Sequence, residues 1–188
     1  MARPRSEDKR SAIMAAATRV IVAQGLSAPT AVIAREAGVA NGSLFTYFET
    51  KAELWNELYL DLKAGMASVA MKGLPAGAEL REQFLHVWTN WMGWAVAHPE
   101  KRKALAQLGV SDEITAESRM AGHKTMEGLR DLMERSRANG PMNKTSIGFV
   151  AVLMTSVAEA TMDFMVQDPD NARKHSKEGF EALWRMIA

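Results

Sequence analysis

Few side chains in this sequence are able to do covalent chemistry. The 188 residues include no cysteine, which removes a thiol nucleophile, a disulfide frame and a Cys-ligated zinc or iron–sulfur site. There is no Gly-x-Ser-x-Gly elbow. Glu82 with His86, and His123 with Glu127, stand four apart and each offer two ligands, but two ligands do not make a metal site. The Glu-x-x-His pairs of a di-iron bundle are absent, since the relevant positions hold Gln83, Ala95, Met120 and Ala172. Gly140 to Thr145 faintly echoes a phosphate loop but lacks the glycine before Lys144 and any preceding strand. We therefore expect no enzyme, no cofactor and no metal.

Hydrogen bonding and charge remain. Asn41 and Ser43 can bond base edges, and Asn suits adenine. Gly42 lets a backbone approach a nucleic acid closely. Thr30, Thr46 and Tyr47 offer hydroxyls to phosphate, and Lys51 stands where a helix start also attracts an anion. Arg3 and Arg5 precede the first helix on an arm able to reach a minor groove.

Those groups act together only if short helices position them. Ile13, Ala17, Val20 and Ile21 mark one face of a first helix over 7–24, stopped by Gly25. Pro29 opens a second helix to about Glu36, and Gly38 ends it. A third runs from about Ala40 to Tyr47, with Leu44 and Phe48 inward. Gly38 suits a left-handed turn, and Val39 can plug between the two helices, the local logic of a helix-turn-helix. Thr50 and Glu53 form a capping box that opens a longer helix to Met71. Beyond the Gly73-Leu-Pro75-Ala-Gly77 linker the expected helices are 78–98, 99–109, 112–138 (capped by Asp112), 144–167 and 172–187. The fold class is all-α, nine helices in two domains.

The run from Ile33 to Phe48, followed by Thr50-Lys-Ala-Glu-Leu54, resembles the N-terminal domain of the TetR family of transcriptional regulators. Val20, Ala23, Gly25 and Leu26 fit the first helix of that family and its exit. Three positions depart from its usual pattern. Ala28 and Ala40 stand where Ser or Thr often caps a helix, and Phe45 replaces a more usual Tyr. The resemblance implies a homodimer whose two heads grip two half-sites on double-stranded DNA. It also implies repression, or occasionally activation, relieved by a small molecule, and an interface built from the last two long helices. The expected domains are 1–50, a DNA-binding head with a short basic arm, and 51–188, a helical effector-binding and dimerisation domain.

Charge fits that division. The chain totals +1, but residues 1–47 hold six basic and three acidic groups and the rest seventeen and nineteen. A head at +3 sits on a body at −2. No signal peptide is evident, because Arg19 interrupts the first apolar run. The 147–166 stretch carries Glu159 and Asp163, which a bilayer span tolerates poorly. We expect a cytoplasmic protein with no membrane partner.

The second half is rich in Trp and Met, which suit a pocket for a hydrophobic or aromatic effector. Trp88, Trp91, Met92, Met120, His123 and Phe149 are the candidate lining. Gly148, Ala151, Thr155 and Ala158 form a stripe of small residues, either an internal seam or a dimer interface. We favour the interface, joined by Phe180, Leu183, Trp184 and Ile187. Two other functions fit the same chain. One is a small all-α enzyme or ligand carrier with a chance helix-turn-helix start. The other is a constitutive DNA-binding protein without an effector.

Overall fold

The computed structural model describes residues 7–188, and within them the chain is all-helical. Helices α1 (Glu7–Gln24), α2 (Thr30–Glu36), α3 (Asn41–Tyr47) and α4 (Lys51–Met71) come first. They are followed by α5 (Leu80–Ala97), α6 (Pro99–Gly109), α7 (Ala116–Lys124) and α8 (Glu127–Arg137). Helix α9 (Ile147–Gln167), a 3₁₀ turn (Pro169–Asn171) and α10 (Ala172–Ile187) complete the described residues. They fall into two compact units. One holds the residues up to 64 together with 98–124, the other 65–97 together with 125–188.

The helix count among the described residues is ten rather than nine, because the expected 112–138 helix is two. Asp112 caps nothing there and sits in a turn closed by Ile114 N–H on Ser111 O at 3.3 Å. Thr115 is the cap instead, its Oγ1 accepting from Ser118 N–H at 3.1 Å. The helix stops at Lys124, where the chain leaves one unit for the other. Each half is fitted to its own neighbour. A Cβ at Gly122 would stand 2.8 Å from Tyr59 Cε1, and one at Gly128 would stand 3.0 Å from the Met71 methyl. His123 and Glu127 therefore share no helix, and the two-ligand pair imagined for them is lost.

The first unit has one apolar core. Ile13, Ala17 and Ile21 of α1 meet Ile33, Leu44 and Phe48, all at or near zero exposure. That core also takes in Leu54, Trp55, Leu58 and Leu62 of α4, with Ala104, Leu108 and Ile114. Packing thus cuts the chain differently from the boundary expected at 50/51. Three short helices bury too little apolar surface to stand alone, and α4 and α6 supply the remainder. Asn56 pins the 110–115 loop to α4, donating to Glu113 O at 2.8 Å and accepting from Thr115 N–H at 2.9 Å.

In the second unit α10 lies on α9 and α5. Trp88 of α5 is the hub. It is buried, its Nε1–H donates to Ser176 O at 2.9 Å, and its ring meets Trp91 edge-on and Phe180 at a tilt. Buried Arg137 ties down the α8–α9 connection, donating to Met142 O and Thr145 O at 2.6 Å and pairing with Glu134. Among the described residues α9 is one helix long and apolar enough to cross a bilayer. Here it buries Val150, Met154, Ala158 and Met162 in the protein core.

Candidate nucleic-acid interface

The turn between α2 and α3 is built as the glycine pattern requires. Gly38 has φ +68°. Val39 N–H reaches back to Ala34 O at 2.9 Å and Gly38 N–H to Arg35 O at 3.1 Å, the paired bonds of a Schellman ending. Val39 packs on the head core, so the exit angle of the chain is fixed. Neither α2 nor α3 has a side-chain cap at its start. Pro29 stands at the N-cap of α2 and Ala40 at that of α3, each in extended backbone.

Helix α3 is two-faced. Leu44 and the adjoining Phe48 have no exposure. Asn41, Gly42 and Thr46 are exposed, and Ser43 and Tyr47 are half-buried. Tyr47 packs on the head core. A Cβ on Gly42 would meet open space, so nothing inside the protein demands glycine there. Phe45 is exposed on the same side as Asn41, one turn on. The sequence marks it only as a departure from Tyr, although its i+4 spacing from Asn41 already places it on the outward face.

The capping box at the start of α4 forms with one change. Glu53 N–H donates to Thr50 Oγ1 at 3.0 Å, while the Glu53 carboxylate accepts from Glu49 N–H rather than Thr50. Lys51 is half-buried, its Nζ 5.6 Å from the centre of the Trp55 ring. Thr30 is half-buried at the first position of α2. Arg5, like Arg3 beside it, lies outside the described residues.

The basic excess of the head is smaller than a count suggests. Arg10 pairs with Glu57 and lies over the Phe48 ring, and Arg19 bonds Glu36 at 2.8 Å. Lys9 and Arg35 are exposed and have no ion-pair partner among the described residues.

Residues 13–58 match the family model described as bacterial regulatory proteins, tetR family. That stretch is similar to the N-terminal domain of the family. A TetR-family transcription regulator from Shewanella sp. PV-4 superposes with TM-score 0.87 at 26% identity, over 98% of this chain and 99% of that one. Another from Marinobacter aquaeolei VT8 gives TM-score 0.87 at 19% identity, over 97% and 96%. The transcriptional regulator FadR from Bacillus subtilis, solved with stearoyl-CoA, gives 0.71 at 16%, over 95% and 100%. The TetR likeness thus extends beyond the matched head to the fold of the whole chain.

The other expected sites are scattered. Trp88, Trp91 and Met92 are buried in the second unit, where Trp88 meets Trp91 and Phe180. Met120 is 67% exposed and Phe149 54%, and His123 is exposed. An open groove of about 260 Å³ on the second unit is lined instead by Val157, Ala160, Thr161, Phe164, His175 and Glu178. Beside it His175 Nε2 meets Asp168 at 3.0 Å. Hydrogen bonds from His175 and then Asn171 hold the Asp168 carboxyl below its usual range.

The expected dimer set divides as well. Ala158, Phe180, Leu183 and Ile187 are buried inside the protomer, which leaves a partner no access to them. Half-buried Trp184 packs on Phe84 and stacks on Phe180. Gly148 and Thr155 are exposed, Ala151 half-buried. The exposed apolar side chains of α9 are Phe149, Val152, Phe164 and Val166.

Proposed function

We propose that this chain is a TetR-type regulator that binds palindromic operator DNA as a homodimer and acts in the cytoplasm as a repressor released by a small hydrophobic or aromatic effector. The observation that carries the DNA role is α3. A rigidly set, two-faced helix presents Asn41, Gly42, Phe45 and Thr46 outward while Leu44 and Phe48 anchor it. Asn41 and Ser43 read base edges, Phe45 can meet a thymine methyl, and open space at Gly42 leaves room for close approach. Thr30, Tyr47 and Lys51 hold phosphates, and Arg5 on the arm adds charge.

Exposed apolar groups on α9 support the homodimer. Single exposed apolar residues are ordinary, but Phe149, Val152, Phe164 and Val166 on one helix call for cover. The stripe Gly148, Ala151 and Thr155 would let a second α9 come close. Release then requires an effector that binds one separation of the two heads better than the other. A protein of the same fold binds stearoyl-CoA, which supports an apolar ligand class.

Selection from random DNA is expected to enrich a palindrome with half-sites about one helical turn apart; enrichment of none would defeat the operator claim. On the selected site, Lys51→Ala in both subunits removes two phosphate contacts. The slope of log affinity against log salt should fall by about 1.8, at roughly 0.9 per contact. An unchanged slope would remove Lys51 from the interface.

A further inference from the structure

Three donors on one face of α4 have no acceptor among the described residues. Trp55, Tyr59 and Lys63 follow one another at four-residue steps and so share a face. Trp55 Nε1 is buried with no hydrogen-bond partner. Tyr59 is 2% exposed, and no described residue bonds its hydroxyl. Lys63 is partly buried and has no carboxylate partner among the described residues. Its Nζ lies 5.8 Å from the centre of the Tyr59 ring.

The neighbours do not satisfy this face. Arg119 adds a further positive charge, and its own donors are taken by Gly109 O at 2.7 Å and Ser111 O at 2.6 Å. Helix α7 comes so close at Gly122 that a Cβ there would lie 3.2 Å from the Tyr59 hydroxyl. Burial pushes the Lys63 ammonium below the usual lysine value. It pushes the Tyr59 hydroxyl up, against the opposing pull of Arg119. Of the three, Trp55 Nε1 is fully sealed from solvent without a partner, a costly and rare state in native proteins, while the Tyr59 hydroxyl and the Lys63 ammonium remain within reach of a ligand. A tryptophan N–H and a lysine ammonium can only donate, so the missing component is an acceptor, and beside Lys63 and Arg119 a negative one.

We propose that the Tyr59–Lys63 face of α4 binds the anionic end of the effector, a carboxylate carried on an apolar or aromatic body. Lys63 forms the ion pair and Tyr59 donates its hydroxyl to the same group. This rests on the effector-responsive reading of the chain and adds to it the charge of the ligand.

The test uses the full-length protein with 2-naphthoate and decanoate, each set against its neutral carboxamide, in titration calorimetry. Each carboxylate should bind at least tenfold tighter than its amide. Lys63→Met should abolish that preference, Lys63→Arg should keep it, and Tyr59→Phe should weaken carboxylate binding severalfold. Without ligand, Lys63→Met should raise Tm, since an unmatched ammonium is removed. Equal binding of acid and amide, a preference that survives Lys63→Met, or a Tm that falls in Lys63→Met would each overturn the proposal. Loss of carboxylate binding in a protein that still selects a palindrome defeats this site alone. Carboxylate binding without palindrome selection defeats the operator reading and leaves the site standing.

Discussion

Gly179→Ala should destabilise the second unit by about 3 kcal/mol, the upper part of the usual cost of overpacking. A Cβ on Gly179 would stand 2.2 Å from Thr161 Oγ1 and 3.0 Å from its Cγ2. Thr161 cannot simply turn away. It is buried, and its hydroxyl donates to Val157 O at 2.7 Å one turn back. The contact lies in the α9–α10 seam, so relief requires the helices to part. For a chain of this size the change should lower Tm by roughly 6–12 °C. Thr161→Ala in the same chain removes the hydroxyl and methyl and should restore at least half of the loss. Thermal unfolding followed by circular dichroism reads both. A neutral Gly179→Ala would mean that the seam is looser than described.

Trp88→Ala should cost about 3–5 kcal/mol, as large aromatic truncations in a core do. Trp88 is 1% exposed and touches Trp91 and Phe180. Its truncation also leaves Ser176 O without its indole donor. Trp88→Phe separates the two contributions. It keeps much of the apolar area and loses the hydrogen bond, for an expected cost of about 1–2 kcal/mol beyond the volume change. Urea titration of the three proteins gives the values. A small effect of Trp88→Ala would mean that this tryptophan borders a ligand space, because a side chain lining an open cavity loses fewer contacts.

That contrast shows where the sequence was informative. The head was legible because its signals are local. Gly25 and Gly38 both have positive φ, and the Thr50–Glu53 cap and the inward Leu44 and Phe48 depend on near neighbours. The second half depends on which surface each apolar stripe meets. Phe180, Leu183 and Ile187 repeat at helical spacing whether they meet their own α9 and α5 or another subunit, and the pattern alone cannot distinguish these. Trp88, Trp91 and Met92 have the composition of a pocket and equally of a core. Met120 and Phe149 were chosen for chemical type, and type does not set orientation. The Tyr59–Lys63 face went unread because a lysine on an amphipathic helix is normally solvated. Its isolation from carboxylates emerges only in three dimensions.

The head core closes with Ala104, Leu108 and Ile114, some fifty residues after the last α4 contributor, Leu62. At roughly 5–20 residues per second of synthesis, α1 to α4 would wait about 3–10 seconds on the ribosome before their final packing partner arrived. During that interval the face of α1 that α6 covers would be bare. A nascent chain stalled before residue 104 should therefore be the aggregation-prone and chaperone-dependent species, although every residue of the helix-turn-helix has by then been made.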